Sequence, residues 1–186
     1  MAGYRAAGVK LVFGSQETNL LDGMDVVVPS PVISPEIPIM KEAIRRGLPI
    51  WSEVEVACRV TDADVIGITG TNGKTTTTTL VGEIMKATGR QTVVGGNIGY
   101  GLSAQADNLP EEAVVVAELS SFQLEFTHSI KAKAATILNI TPDHLDRHHT
   151  MEAMPLPRNA SSSIRTRAIM PSSITTMNGS GPWRET

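Results

Sequence analysis

The sequence predicts an α/β chain organised on a parallel sheet, and three observations carry that expectation. Short β-branched apolar runs alternate with helical patterns across most of the chain. One such run, from Val65, passes directly into a glycine-rich turn, a lysine and five threonines, V-I-G-I-T-G-T-N-G-K-T-T-T-T-T-L over residues 65–80. Another, Ala113 to Ala117, runs straight into an acidic residue, Glu118.

The first of these segments reads as a strand, a phosphate-cradling loop and a helix. Gly70 and Gly73 give the backbone room to wrap an anion, and the helix N-terminus offers N–H groups to it. The general phosphate-loop pattern is G-x-x-x-x-G-K-[ST], and Ile68 stands where its first glycine belongs. What remains is the shorter form Gly70-Thr71-Asn72-Gly73-Lys74-Thr75. Its chemistry is coherent: loop N–H groups meet phosphate oxygens, Lys74 reaches the outer phosphates, and the Thr75 hydroxyl suits Mg²⁺. The alternative is an ordinary glycine turn capped by threonines.

Composition narrows the function classes. With 41% hydrophobic and 19% charged residues, the 186-residue chain has the make-up of a soluble globular protein with a core. A net charge of −3 without a basic arm argues against a nucleic-acid partner. The single cysteine, Cys58, excludes an internal disulfide, and no apolar run reaches membrane-spanning length, so the expected location is the cytoplasm, with no membrane partner.

Residues 1–58 are expected to form a partial Rossmann-like unit. Met1 to Ala7 resemble a helix end, Val9 to Phe13 a strand, and Asp25 to Val28 a second strand before a proline-punctuated loop. Pro35 suits the first turn of a helix reaching Arg46 and stopped by Gly47, and Pro49 to Trp51 reads as another short strand. The unit opens without a first strand or first βα loop. A helix from about Ser52 to Val60 follows, with Val54, Ala57 and Cys58 spaced for a buried face, so Cys58 reads as a small core residue.

Residues 59–153 are expected to form a partial P-loop ATPase-type parallel-sheet domain. After the loop come a helix from Lys74 to about Ala87, a strand at Thr92 to Val94, the turn Gly95-Gly96-Asn97-Ile98-Gly99, a helix near Leu102 to Ala106 and the strand Ala113 to Ala117, which Glu118 follows directly. A carboxylate at the C-terminal edge of a parallel strand is where a nucleotide fold places its Mg²⁺ carboxylate. The bland alternative for Glu118 is a solvated strand-end charge. A last strand, Ala134 to Ile140, leads into Thr141-Pro142-Asp143-His144-Leu145-Asp146-Arg147-His148-His149. Among these, His144 is the candidate ligand because it comes soonest after the strand; Asp143 reads equally as a helix cap, and His148 and His149 as solvated side chains.

Four ordered motifs, G-T-N-G-K-T-T-T, G-G-N-I-G, E-L-S-S-F-Q-L-E and N-I-T-P-D-H-L-D-R-H, resemble the Mur ligase family, ATP-dependent amide-forming ligases of peptidoglycan precursor synthesis. The resemblance extends upstream through S-P-V-I-S-P-E-I-P and W-S-E-V-E and covers residues 1–153. The S-S-F-Q-L-E segment is most similar to members that add D-glutamate to UDP-N-acetylmuramoyl-L-alanine; folylpolyglutamate synthases differ there. The resemblance implies that residues 1–58 belong to a domain for the UDP substrate, and that Gly70, Thr71, Asn72, Gly73, Lys74, Thr75 and Thr76 hold the ATP phosphates. It implies catalytic roles for Lys74, Glu118 and His144, a first Mg²⁺ on Thr75 and Glu118, and a second served by His144. Asn97, Ser120 and Gln123 would position the UDP substrate. Family members are expected to act as monomers in the cytoplasm, in cell-wall synthesis, cell shape and division.

From Met154 to Thr186 the family likeness stops. This stretch has four arginines, no lysine and one acidic residue, is rich in serine, threonine and proline, and shows no helical or strand period, so it reads as disordered. In the family this region continues a helix carrying a carbamylated lysine near the second Mg²⁺. Back-translating Met154 onward with a one-nucleotide shift yields Y-A-A-A-K-K-R-I-F-E-H-Q and V-I-N-Y-D-D-E, both family-like, so residues 154–186 are expected to be an out-of-frame tail on a fragment. Three function classes follow: a ligase-derived chain inactive by itself, a bare nucleotide-binding module, and a poorly folded product with uncovered sheet edges.

Overall fold

The computed structural model describes residues 2–141, and the chain divides into two compact units. The first comprises the residues up to Val27 together with Ile33–Ile50; the second comprises Val28–Val32 and the chain from Trp51 onward.

In the first unit, helix α1 (Ala2–Ala6) and a 3₁₀ turn (Thr18–Leu21) precede helix α2 (Pro38–Arg45). α2 begins later than Pro35 because Ile37 is the N-cap and Pro38 takes the first-turn place, where its missing N–H costs nothing. Its end is the glycine stop expected from sequence: Gly47 adopts φ +69°, its N–H donates to the Ile44 carbonyl, and Leu48 N–H donates to the Ala43 carbonyl. Met40 and Ala43 of α2 and Leu21 are buried. The expected strands of this unit do not form. Residues 9–13 have no regular structure and leave Val9, Val12 and Phe13 exposed, while 25–28 and 49–51 are reduced to one parallel bridge, Val27 to Ile50. A β-branched run becomes a strand only when a neighbour completes its ladder.

The second unit opens with helix α3 (Glu53–Val60), capped by the Ser52 side chain, which accepts from Glu55 N–H at 3.0 Å. Strand β1 (Asp64–Thr69), helix α4 (Lys74–Ala87), strand β2 (Thr92–Gly96), helix α5 (Ser103–Ala106), strand β3 (Val114–Glu118), helix α6 (Ser121–Leu124) and strand β4 (Ala132–Ile137) follow. The sheet is parallel throughout, in the order β2-β3-β1-β4. β3 is buried along its whole length, which explains its unbroken apolar run. Val115 and Ala117 pack with Val54 and Ala57 of α3 and with Leu102 and Ala106, while Val114 and Val116 pack with Ile68 and, on α4, Val81 and Met85. α4 comes close enough to β2 that a Cβ on Gly82 would lie 2.5 Å from Val94 Cγ2. β4 ends at Ile137, three residues short of the apolar run's end, with a register shift opposite Val65/Ile66. Among the described residues no helix is long and apolar enough to cross a membrane.

Candidate functional site

The strand order decides where a site is built. From β1 the chain passes through α4, beyond β3, to β2 at one edge, and from β3 it passes beyond β1 to β4 at the other, so the connections of these two neighbouring strands leave their C-terminal ends in opposite directions. Both segments singled out in the sequence end there. Ile68 pairs with Glu118, Leu119 N–H donates to the Ile68 carbonyl at 2.8 Å, and the Thr69 hydroxyl donates to the Leu119 carbonyl at 2.8 Å.

The loop between β1 and α4 needs both glycines. Gly70 lies at φ +136° and Gly73 at φ +81° as the N-cap of α4; a Cβ on Gly70 would sit 3.0 Å from the Asn139 carbonyl oxygen. The Lys74 ammonium folds over the loop, donating to the carbonyls of Gly70 at 2.8 Å and Thr71 at 2.9 Å. Thr75 and Thr76 are exposed in the first turn of α4, where helix N–H groups lack intrahelical acceptors and the helix dipole favours an anion. Thr71 and Asn72 N–H groups instead donate to Asn139, to its carbonyl at 3.0 Å and its Oδ1 at 2.8 Å.

Glu118 is 1% exposed, and its two carboxylate oxygens differ. Oε1 accepts from Asn97 Nδ2 at 2.8 Å; Oε2 is buried without a hydrogen-bond partner. Asn97 N–H also donates to the Glu118 carbonyl at 2.9 Å, so the G-G-N turn closes directly over the end of β3. Gly96, at φ +101°, makes that closure possible, because a Cβ there would collide with the Glu118 carbonyl oxygen. A buried, half-satisfied carboxylate is costly unless a cation completes it. A carboxylate oxygen of this kind is a donor that Mg²⁺ takes beside nucleotide phosphates, so the chemistry of Glu118 fits that ion.

Ser120 and Gln123 are brought together, but onto each other. Gln123 is buried, and its Oε1 accepts from Ser120 N–H and from Ser120 Oγ, both at 3.0 Å, while Gln123 N–H donates to Ser120 Oγ: a capping box at the start of α6. The S-x-x-Q spacing was the available signal for this helix. His144 and the rest of 142–149 lie outside the described residues, as does the tail at 154–186.

The W-S-E-V-E segment ties α3 to the start of α5 and to the loop after α6. Glu53 accepts from Ser103 N–H at 2.5 Å, and Glu55, fully buried, accepts from His128 N–H, Ser129 N–H and Arg59 Nε, each at 2.7 Å. Burial pushes the Glu55 carboxyl up, but the hydrogen bonds from Ser129, His128 and Arg59 outweigh it and hold the group below its ordinary value. The Arg59 guanidinium also lies 4.1 Å from the Trp51 ring. Burial, then Glu55 and Glu53, push the Cys58 thiol up to about 12, which fits a packing role and no thiol chemistry.

Residues 68–155 match the Mur ligase middle domain. The UDP-N-acetylmuramoylalanine–D-glutamate ligase of Desulfitobacterium hafniense is 56% identical over 128 residues, 69% of this chain and 28% of that protein. Its namesakes in Pelotomaculum thermopropionicum and Lachnospira eligens are 47% identical over 78% of this chain and 32% of theirs, and 42% over 86% and 35%. Among solved structures, the UDP-N-acetylmuramate-alanine ligase MurC of Thermotoga maritima matches with a TM-score of 0.48 at 22% identity, over 91% of this chain and 40% of that one. The chain thus spans about a third of the length of the curated relatives it matches. With the matched domain and the identity to those ligases, this chain belongs to the Mur ligase family.

Proposed function

We propose that this chain binds MgATP as part of a ligase that adds D-glutamate to UDP-N-acetylmuramoyl-L-alanine in the cytoplasm, and that by itself it shows no ligase turnover. The observation that carries this reading is the buried, unpartnered Glu118 Oε2 at the strand end adjoining the phosphate loop. The relatives' printed names support the D-glutamate specificity.

In this reading the N–H groups from Gly73 to Thr76 hold the phosphate oxygens, and Lys74, placed over the loop by the Gly70 and Thr71 carbonyls, neutralises charge as the γ-phosphoryl group moves. The substrate carboxylate attacks the γ-phosphorus and releases ADP, giving an acyl phosphate. The amine of D-glutamate then attacks the acyl carbon, forming the amide and releasing phosphate and a proton. Thr75 and Glu118 would hold Mg²⁺, which when bound screens the phosphate charge. Asn97, Ser120 and Gln123 are assigned to positioning the UDP substrate, Ser120 and Gln123 through the shape of α6, and His144 to a second Mg²⁺. Residues 1–58 are assigned to the UDP-substrate domain and 59–153 to the ATP domain.

The test is calorimetric titration of ATP with and without Mg²⁺ into the chain and its Glu118→Gln variant. Binding strengthened by Mg²⁺ only when Glu118 is present supports the reading; Mg²⁺-independent binding in both contradicts it. Phosphate release requiring both UDP-N-acetylmuramoyl-L-alanine and D-glutamate would contradict the absence of turnover. The family match stops at residue 155, beside the point where family character is lost. The out-of-frame origin of 154–186 is part of the proposal, and sequencing the coding DNA across Ala153 and Met154 tests it, an intact frame with no family-like alternative counting against it.

A further inference from the structure

Beyond the ends of β1 and β4 the two segments stay joined, with side chains adding to the backbone bonds. The ladder runs to the pair Thr69 and Ile137, and Leu138 N–H donates to the Thr69 carbonyl at 2.9 Å. There β1 turns away into the phosphate loop. Thr71 N–H then donates to the Asn139 carbonyl at 3.0 Å. The Asn139 side-chain amide matches the Asn72 backbone on both sides, Oδ1 accepting from its N–H at 2.8 Å and Nδ2 donating to its carbonyl at 2.9 Å. Thr71 Oγ1 and Thr141 form a second reciprocal pair, Oγ1 accepting from Thr141 N–H at 3.0 Å and donating to its carbonyl at 3.1 Å.

The consequence lies on the other side of the same peptide units. In a trans peptide the N–H and the C=O point in opposite directions. The two units whose N–H groups point to Asn139 are Gly70–Thr71 and Thr71–Asn72, and their carbonyls, those of Gly70 and Thr71, are the two acceptors of the Lys74 ammonium. Asn139 on one side and Lys74 on the other therefore fix the same two peptide planes. With the N–H groups of Thr71 and Asn72 engaged, an anion at this loop is met by the N–H groups from Gly73 onward and by Lys74.

We infer that Asn139 is a positioning residue for the phosphate loop: by holding the Thr71 and Asn72 N–H groups it sets the two carbonyls that place the Lys74 ammonium. Its consequence for nucleotide binding rests on the function proposed above; the tether itself does not. Asn139→Ala in the full chain is expected to speed amide exchange at Asn72 by about tenfold, while Thr71, whose N–H donates to the Asn139 backbone carbonyl that the variant keeps, and the β1 and β3 amides stay protected. Asn139→Asp, which keeps an acceptor for Asn72 N–H, is expected to free that amide less. MgATP affinity should fall about tenfold in Asn139→Ala, but by less than about twofold when the change is made on Lys74→Ala, because the effect runs through Lys74. Unchanged exchange at Asn72 would overturn the tether, and an affinity loss of equal size in both backgrounds would overturn the route through Lys74. If the unsubstituted chain binds no MgATP, the functional reading falls, and the exchange measurement alone decides the tether.

Discussion

Asn97 grips Glu118 twice, its backbone N–H on the Glu118 carbonyl at 2.9 Å and its side-chain amide on Oε1 at 2.8 Å. One residue thus fixes both the end of β3 and the rotamer of the carboxylate there. Removing the side chain leaves both carboxylate oxygens unpartnered in a buried place. Asn97→Ala is expected to lower unfolding stability by about 1–3 kcal/mol in urea titration, with Mg²⁺ recovering part of the loss. Unchanged stability would contradict the buried environment of Glu118.

The same closure makes Gly96 irreplaceable. Gly96→Ala combines a left-handed backbone with a collision against the Glu118 carbonyl, whereas Gly99 has positive φ, +64°, with open space around it. The expected loss is about 3 kcal/mol or more for Gly96→Ala and about 1 kcal/mol for Gly99→Ala, read as denaturation midpoints. Equal losses would contradict the close approach of β2's end to β3.

Glu55 predicts an acid dependence of stability. Its carboxyl is held below the ordinary 4.5 in the folded chain, so the unfolded chain takes up the proton first as pH falls. The contribution is therefore fully present above about pH 4.5 and is lost as pH falls through the folded value. Glu42, drawn down to about 2 by Arg45 and Arg46, and Asp64, lowered by Arg90 and Lys133, act in the same direction. The difference between the unsubstituted chain and Glu55→Gln isolates the Glu55 share: Glu55→Gln should be the less stable at pH 7, with the gap narrowing below pH 4.5. A gap that widens on acidification would contradict it.

Cys58 should resist thiol reagents in the folded chain at neutral pH, because burial pushes its thiol up to about 12. Reaction with a disulfide reagent is expected only after denaturant is added; rapid reaction in buffer would contradict its packing.

The second unit was largely legible from sequence because its signals are local. Ser52 and Gly73 mark the starts of α3 and α4, and the β-branched runs of β1 and β3 are flanked by turns. The first unit was misread at Val9–Phe13 because strand formation depends on a partner that no local run encodes. Asn139 was hidden for the same reason: its bonds reach Asn72, 67 residues away, and appear only once β1 and β4 are aligned. Gln123 carried a visible S-x-x-Q signal, and its capping role became clear only when its amide was seen turned back on Ser120.

The central claim is that the loop from Gly70 to Thr76 holds nucleotide phosphates through Lys74. Its most direct test is the MgATP dissociation constant of this chain against Lys74→Ala. Measurable binding that weakens by about tenfold or more on loss of the ammonium is the predicted result. No binding, or equal binding by both proteins, would contradict it.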